Sequence, residues 1–227
     1  MKILALECSA GPASTAIVEN GIIIASNFTN VKMTHSETLL PMVKATLDKA
    51  GLSVADIDAL AISNGPGSFT GIRIGISAVK GLAAPKKLPC YAVSTLRAIA
   101  ENYKGFDGVV CSVMDARCNQ VYNALFKAEN GNLTRLCDDR ALLISELMNE
   151  LSDISENIII VGDGAALFSE FASEKILIAN EENRYQTAVG VAMAASEYES
   201  CSPDKLMPFY LRLPQAEREL KAKKEKM

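Results

Sequence analysis

The stretch Ser63-Asn64-Gly65-Pro66-Gly67-Ser68-Phe69-Thr70-Gly71-Ile72-Arg73-Ile74-Gly75 offers two chemistries. It follows an apolar run at 60–62 and leads into another at 72–84, which reads as strand, Gly/Pro turn and helix start. Backbone N–H groups in such a turn can cradle an anion, but the lysine and following Ser/Thr of a P-loop are missing. The alternative is packing. Gly71, Gly75 and Ala78 are spaced by four and three, so they share one helical face notched with hydrogens and a methyl. A second helix can approach such a face closely. The spacing favours packing and leaves open whether the neighbour is internal or foreign.

The titratable groups are sparse. Asp115 ends an apolar run at 108–114; it can hold a metal–nucleotide complex, pair with Arg117 or cap its own turn. Arg73 reads as a surface cation. His35 is the only histidine, and no His-Glu-x-x-His occurs, whereas a hydrolytic metal centre needs several nitrogen or sulfur ligands. His35 and Glu37 therefore read as helix-capping or interface residues. Cysteines at 8, 90, 111, 118, 137 and 201 lack the close spacing of a zinc site or redox pair and read as reduced thiols. Cys8 and Cys118 read as small buried residues. A lone histidine far from any Gly-x-Ser-x-Gly turn supports no catalytic triad.

The elements that must position these groups read as one pattern written twice. In the first half a strand at 3–6 ends in Glu7, runs at 15–19 and 22–25 flank the hairpin turn Asn20-Gly21, and a helix follows. Thr34 and Glu37 have capping-box spacing, Gly51 is the stop, and Pro41 predicts a kink or a delayed start. A strand at 59–62, the glycine turn, a helix, a strand at 90–93 and a helix at 95–102 complete the half. The second half has a strand at 108–114 ending in Asp115, runs at 121–127 and 133–137 around Asn130-Gly131, and a helix at 145–151. A strand at 158–161 then enters Gly162-Asp163-Gly164, followed by a short helix, a strand at 175–178 and a long helix at 185–198. Each half implies a mixed sheet with helices on its faces. The expected lobes are 1–105, carrying the docking helices, and 106–214, with a charged helical or frayed tail at 215–227.

The chain has 227 residues, 49% hydrophobic and 22% charged, the proportions of a globular protein with real cores. Its net charge of −4 argues against a free-standing nucleic-acid binder. The N-terminal apolar run is too short for a signal or a membrane span, so a cytoplasmic protein without membrane contact is expected.

Two mirrored lobes, each with a carboxylate after its first strand, resemble the actin/hexokinase/Hsp70 superfamily, an α/β two-lobed actin-like (ASKHA, ribonuclease H-like) fold. The resemblance places Glu7 and Asp115 near a metal–phosphate group and makes Gly162, Asp163 and Gly164 the candidate nucleoside turn. At motif level, His35-Ser36-Glu37-Thr38-Leu39-Leu40-Pro41, the glycine turn through Gly75, Lys80-Gly81-Leu82-Ala83, Met114-Asp115-Ala116-Arg117 with Tyr122, and Pro208-Phe209-Tyr210-Leu211-Arg212 resemble the TsaB (YeaZ) family. That family begins with a strand and Asp-Thr-Ser; here the residues are Glu7-Cys8-Ser9, and a tight metal–phosphate site is sensitive to both changes.

The resemblance implies a non-catalytic subunit in forming N6-threonylcarbamoyladenosine at position 37 of tRNA. Its partners would be a TsaD-like catalytic subunit, a TsaE-like ATPase and, through the complex, tRNA. It implies no intrinsic cofactor or metal, and ATP or ADP with magnesium in the assembled complex. The expected partner interface is His35, Glu37, Leu39, Leu40, Val43, Phe69, Gly71, Ile72, Arg73, Gly75 and Ala78, with Leu39, Leu40 and Val43 as apolar anchors and the glycines admitting the partner's helix. On this reading Gly75→Leu blocks docking and leaves the lobes folded, and the chain alone forms a homodimer. The rival functions are a nucleotide-dependent phosphotransferase on the same fold and a metallopeptidase.

Overall fold

The structure is a computed structural model that describes residues 1–31 and 33–212. The expected tail at 215–227 lies outside the described residues. In the first half, β1 (Lys2–Glu7), β2 (Ala13–Glu19) and β3 (Ile22–Thr29) form an antiparallel meander. Asn20 and Gly21 turn the hairpin at φ 51° and 81°, the left-handed values that favour this residue pair. α1 (His35–Ala50), β4 (Ala59–Gly65), α2 (Phe69–Ala83), β5 (Cys90–Ser94) and α3 (Thr95–Glu101) follow. The second half has β6 (Gly108–Asp115), β7 (Gln120–Glu129), β8 (Asn132–Arg135), β9 (Arg140–Leu143), α4 (Ile144–Ser152) and β10 (Ile158–Val161). A 3-10 segment Asp163–Phe171, β11 (Ile176–Ile178), α5 (Ala188–Ala194) and β12 (Ser200–Cys201) complete it.

The first sheet has the order β12-β5-β4-β1-β2-β3 and the second β11-β10-β6-β7-β8, with β9 also on β7. In each sheet one central strand, β1 or β6, pairs antiparallel with a hairpin on one side and parallel with a crossover strand on the other. The duplication of element order is thus a duplication of topology. Among the described residues no helix is long and apolar enough to cross a membrane.

Several boundaries differ from the sequence expectation. The helix expected at 185–198 is only Ala188–Ala194, because a 3-10 turn at Ala195–Glu197 brings Glu197 onto Arg97. The segment from 188 onward does not stay with the second lobe. α5 packs Ala188, Val191 and Ala194 against Ile3, Ala5 and Val18 of the first sheet, and β12 pairs with β5. Tertiary burial decides that return, and a linear boundary cannot express it. α1 starts at His35 and runs through Pro41, so its start is not delayed. Its cap is half of the expected box: the Glu37 carboxylate accepts from both the Thr34 N–H (3.2 Å) and hydroxyl (2.6 Å). Gly51 ends α1 at φ 66°.

α3 is the shared element. Its Ala98 belongs to the core under the first sheet, while Leu96 and Ile99 pack with Val110, Met114 and Phe126 of the second. Arg97 is 4% exposed, ion-pairs with Glu101 and Glu197 and stands 5.8 Å over the Phe126 ring. Glu101 is on α3 itself, so it is Glu197 on the first-lobe side and the Phe126 ring on the second that hold this buried cation, and α3 with it, between the lobes.

α1 and α2 cover the other face of the first sheet. Leu39, Val43, Ile72, Ile76 and Val79 join Leu4, Leu6 and Ile62 in one cluster. Here the expectation for the glycines is corrected. A Cβ at Gly71 would fall on the Cys8 carbonyl oxygen, and one at Gly75 would meet Cys8 Sγ at 2.6 Å and Ile62 Cδ1 at 2.8 Å. The neighbours these notches admit belong to the chain itself: Cys8, the residue after β1, and Ile62 of β4. The same steric fact revises the Gly75→Leu outcome. Overpacking a filled core costs on the order of 1–3 kcal/mol, so Gly75→Leu should lower the free energy of urea unfolding by at least about 1 kcal/mol. An unchanged unfolding midpoint would show that this notch faces outward.

Candidate functional site

Two regions gather the expected site residues. The first is the face of α1 and α2 turned away from the sheet. Leu39 and Val43, at 1% and 3% exposed, and the fully buried Ile72 are sealed in the chain's own core, so they are not available as anchors for another polypeptide. Gly71 and Gly75 lie beneath them on Cys8. What remains outside is Leu40, 51% exposed, with exposed Arg73 and half-buried Ile74 and Ala78. These line a groove of about 340 Å³ between the helices with His35, Ser36 and Ser77. Exposed Val31 and Met33 extend the apolar surface around the start of α1. Helical geometry explains the division, since 39 and 43 share one face and 40 lies a hundred degrees round from 39.

His35 Nε2–H donates to the Ala10 carbonyl at 2.7 Å, because a carbonyl can only accept. The imidazole therefore ties the start of α1 to the loop after β1. Glu37 is exposed and engaged in the Thr34 cap. Arg73 makes no salt bridge among the described residues; its Nε–H donates to the Tyr210 hydroxyl at 2.7 Å. Phe69 stacks on Tyr210 with ring centroids 4.3 Å apart, and the Phe209 N–H donates to the Asn64 carbonyl at 2.8 Å. The contact of 209–210 with the start of α2 was not legible from spacing. The only signal was the Pro208-Phe209-Tyr210 motif itself.

The second region is a cleft of about 490 Å³ between the two sheets, lined among others by Ser9, Gly67, Ser68, Asp115, Arg117 and Asp163. β1 and β6 deliver Glu7 and Asp115 to it, and Gly162 delivers Asp163. Glu7 is fully buried, and its Oε1 accepts from the Ser9 N–H and hydroxyl at 2.6 Å each. Glu7 Oε2, Ser63 Oγ and Asp163 Oδ1 are buried with no hydrogen-bond partner among the described residues. Burial pushes the Glu7 carboxyl up from its ordinary range. Burial, then the charge of Asp115, pushes Asp163 up to about 7. Asp115 accepts from the Arg117 N–H at 2.7 Å and pairs with its guanidinium at 3.2 Å.

Part of the donor set of the glycine turns is spent within the chain. The Ser68 N–H donates to the Ser9 carbonyl at 2.6 Å and the Gly71 N–H to Ser68 Oγ at 3.3 Å. The Gly162 N–H donates to the Arg184 carbonyl at 2.7 Å, and a Cβ at Gly162 would fall on the Val113 carbonyl. Glycine is needed there for close backbone approach at φ 110°. Among the lining residues Asp115 and Asp163 face one guanidinium, Arg117, with Glu7 buried behind them, so this chain alone brings little cationic help to a triphosphate. Among the described residues no three His, Cys, Asp or Glu side chains gather at metal-binding spacing. Cys8 is buried as expected and its thiol lies well above the ordinary range, chiefly through burial; Cys118, expected buried, is exposed.

The chain is similar to known proteins over most of its length. A family model described as "TsaD: tRNA N6-adenosine threonylcarbamoyltransferase" matches residues 23–218. The tRNA threonylcarbamoyladenosine biosynthesis protein TsaB of Escherichia coli (strain K12) is 34% identical over 78% of both chains. The protein of the same name from Bacillus subtilis (strain 168) is 29% identical over 96% of both. The solved structure of YeaZ from Pseudomonas aeruginosa superposes with a TM-score of 0.77 at 25% identity, covering 92% of this chain and 99% of that one.

The acidic cleft makes a pH-dependent prediction. Unfolded, Asp163 ionises near 3.8; folded, it keeps its proton to about 7, so the folded state loses stability as pH rises through that window. Asp163→Asn should raise the melting temperature more at about pH 8 than at about pH 5. An equal change at both would contradict the placement of Asp163 beside Asp115. Glu7 moves in the same direction, so the variant keeps part of the wild-type slope.

Proposed function

The chain belongs to the TsaB (YeaZ) family, and from that membership we propose that it serves tRNA threonylcarbamoyladenosine biosynthesis as a non-catalytic subunit docked on a TsaD-like transferase. The observation that carries the docking reading is the outer face of α1 and α2. Leu40 stands half in solvent beside an apolar groove whose floor is the chain's own packed core. Apolar surface of this kind is stabilised when another chain covers it. When that partner is missing, the same face pairs with itself, giving a homodimer.

The non-catalytic role is supported by how three of the polar groups are engaged, Glu7 Oε2 and Asp163 Oδ1 being left without a partner among the described residues. His35 ties a loop, Glu7 binds Ser9 and Asp115 holds Arg117. ATP or ADP with magnesium enters only in the assembled complex, where TsaD-like and TsaE-like subunits supply the cationic help that is scarce in this cleft. The tRNA is met through the complex, consistent with a chain of net charge −4. A phosphotransferase would need tight ATP–magnesium binding by the isolated chain, and the scant cationic help in the cleft disfavours it. A metallopeptidase is disfavoured by the engagement of the only histidine.

The test is a titration of this chain against a TsaD-like protein from the same cell. Half-burying a leucine contributes on the order of 1 kcal/mol, and a carboxylate in its place must also be desolvated. Leu40→Asp should therefore weaken the complex about tenfold or more with no fall in the melting temperature. It should lower tRNA modification in the reconstituted system to the same degree. Wild-type affinity in that variant would remove the outer face of α1 from the interface.

A further inference from the structure

We propose that Cys90 and Cys201 are a modification site, a thiol pair that hydrogen peroxide closes into an intramolecular disulfide, stapling the segment after residue 201 to the first sheet. The two cysteines are far apart in sequence, but β12 lays Cys201 directly opposite Cys90 in antiparallel register. Directly opposed residues in such a pair have Cα atoms about 4.5–5.5 Å apart, inside the 4.4–6.8 Å range that a disulfide spans. Their side chains leave the sheet on the same face. Both are free thiols, and both sit in the cluster beneath Leu88 and Leu206. The sulfurs feel each other: burial and then Cys201 push the Cys90 thiol up to about 11. Burial, then the charge of Asp204, pushes the Cys201 thiol up as well, and Lys80, whose ammonium donates to the Asp204 carbonyl at 3.2 Å, partly offsets the rise at both thiols.

The two thiols divide the roles. Cys201 is partly exposed and meets the oxidant; Cys90 is buried and resolves. The Cys201 thiolate attacks one peroxide oxygen, giving Cys201–SOH and water. Cys90 sulfur then attacks the sulfenic sulfur, the S–S bond forms, and the hydroxyl leaves with the Cys90 proton as a second water. Two thiols lose two electrons and one peroxide gains them.

The staple acts on a segment with few other fixings. β12 is two residues long. Beyond it, Leu206 is fully buried, Phe209 bonds to Asn64 and Tyr210 stacks on Phe69. A bond from Cys90 to Cys201 also closes a loop containing the whole second sheet, and long loops gain most from closure.

The experiment uses the full chain, reduced and freed of reductant, then exposed to excess hydrogen peroxide at about pH 8, with remaining thiols alkylated. Peptide mapping should recover Cys90 joined to Cys201, reversibly with dithiothreitol. The oxidised protein should melt at least about 4 °C above the reduced one. Cys201→Ser, at a partly exposed position, should lose both effects. Recovery of Cys90 and Cys201 as alkylated thiols, either one linked to a different cysteine, Cys201 found only as sulfinic acid, or a disulfide that leaves the melting temperature unchanged would each overturn the proposal.

Discussion

α2 is held against the end of β1 by two glycines, and the composition of the molecule's outer face follows from that contact. Gly71 and Gly75 bring the helix backbone onto Cys8, whose Sγ–H donates to the Gly71 carbonyl at 3.2 Å. At that separation the helix has no freedom to rotate. Ile72 and Ile76 must point into the core, and Arg73, Ile74 and Ser77 must point out. α1 is then registered against α2 by Leu39 and Val43, and Leu40 is left in solvent. The tight internal packing is therefore what creates a defined external groove. Interiors at crystal-like density leave no slack for a looser arrangement.

The same economy of backbone groups shapes the cleft. The loop after β1 and the start of α2 use each other's donors: Ser68 N–H on the Ser9 carbonyl, Ser9 on Glu7, His35 on Ala10. This network closes the first lobe around the position where the wider fold places phosphates. Glutamate and cysteine at positions 7 and 8 fit the closed arrangement. The longer carboxylate folds back to Ser9, and the sulfur fills the space under Gly75. In the cleft Asp115 pairs with Arg117, while burial favours the protonated forms of Glu7 and Asp163.

Much of this was legible in the sequence. Asn-Gly hairpins, the Thr34–Glu37 pair and the glycine turn located their elements because each depends on local backbone chemistry. The twofold pattern of apolar runs gave both sheets, and the TsaB-like motifs gave the family. Spacing identifies a shared face but not its neighbour and left that point open; the family resemblance assigned Gly75 and Val43 to a foreign partner, whereas both point into the chain's own core. The extent of α5, the return of β12 to the first sheet and the burial of Asp163 between carboxylates from both lobes all depend on contacts distant in sequence. Cys90 and Cys201 illustrate the limit well: no linear spacing rule pairs them, yet the sheet sets them side by side.

Amide hydrogen exchange on the chain alone as a dilute monomer, and then bound to a TsaD-like protein, tests the central claim most directly. The account predicts added protection confined to the outer positions of α1 and α2, around 36–44 and 73–81, with the amides buried against Cys8 already slow in the free chain. Added protection elsewhere, with those two helices unchanged on binding, would contradict it.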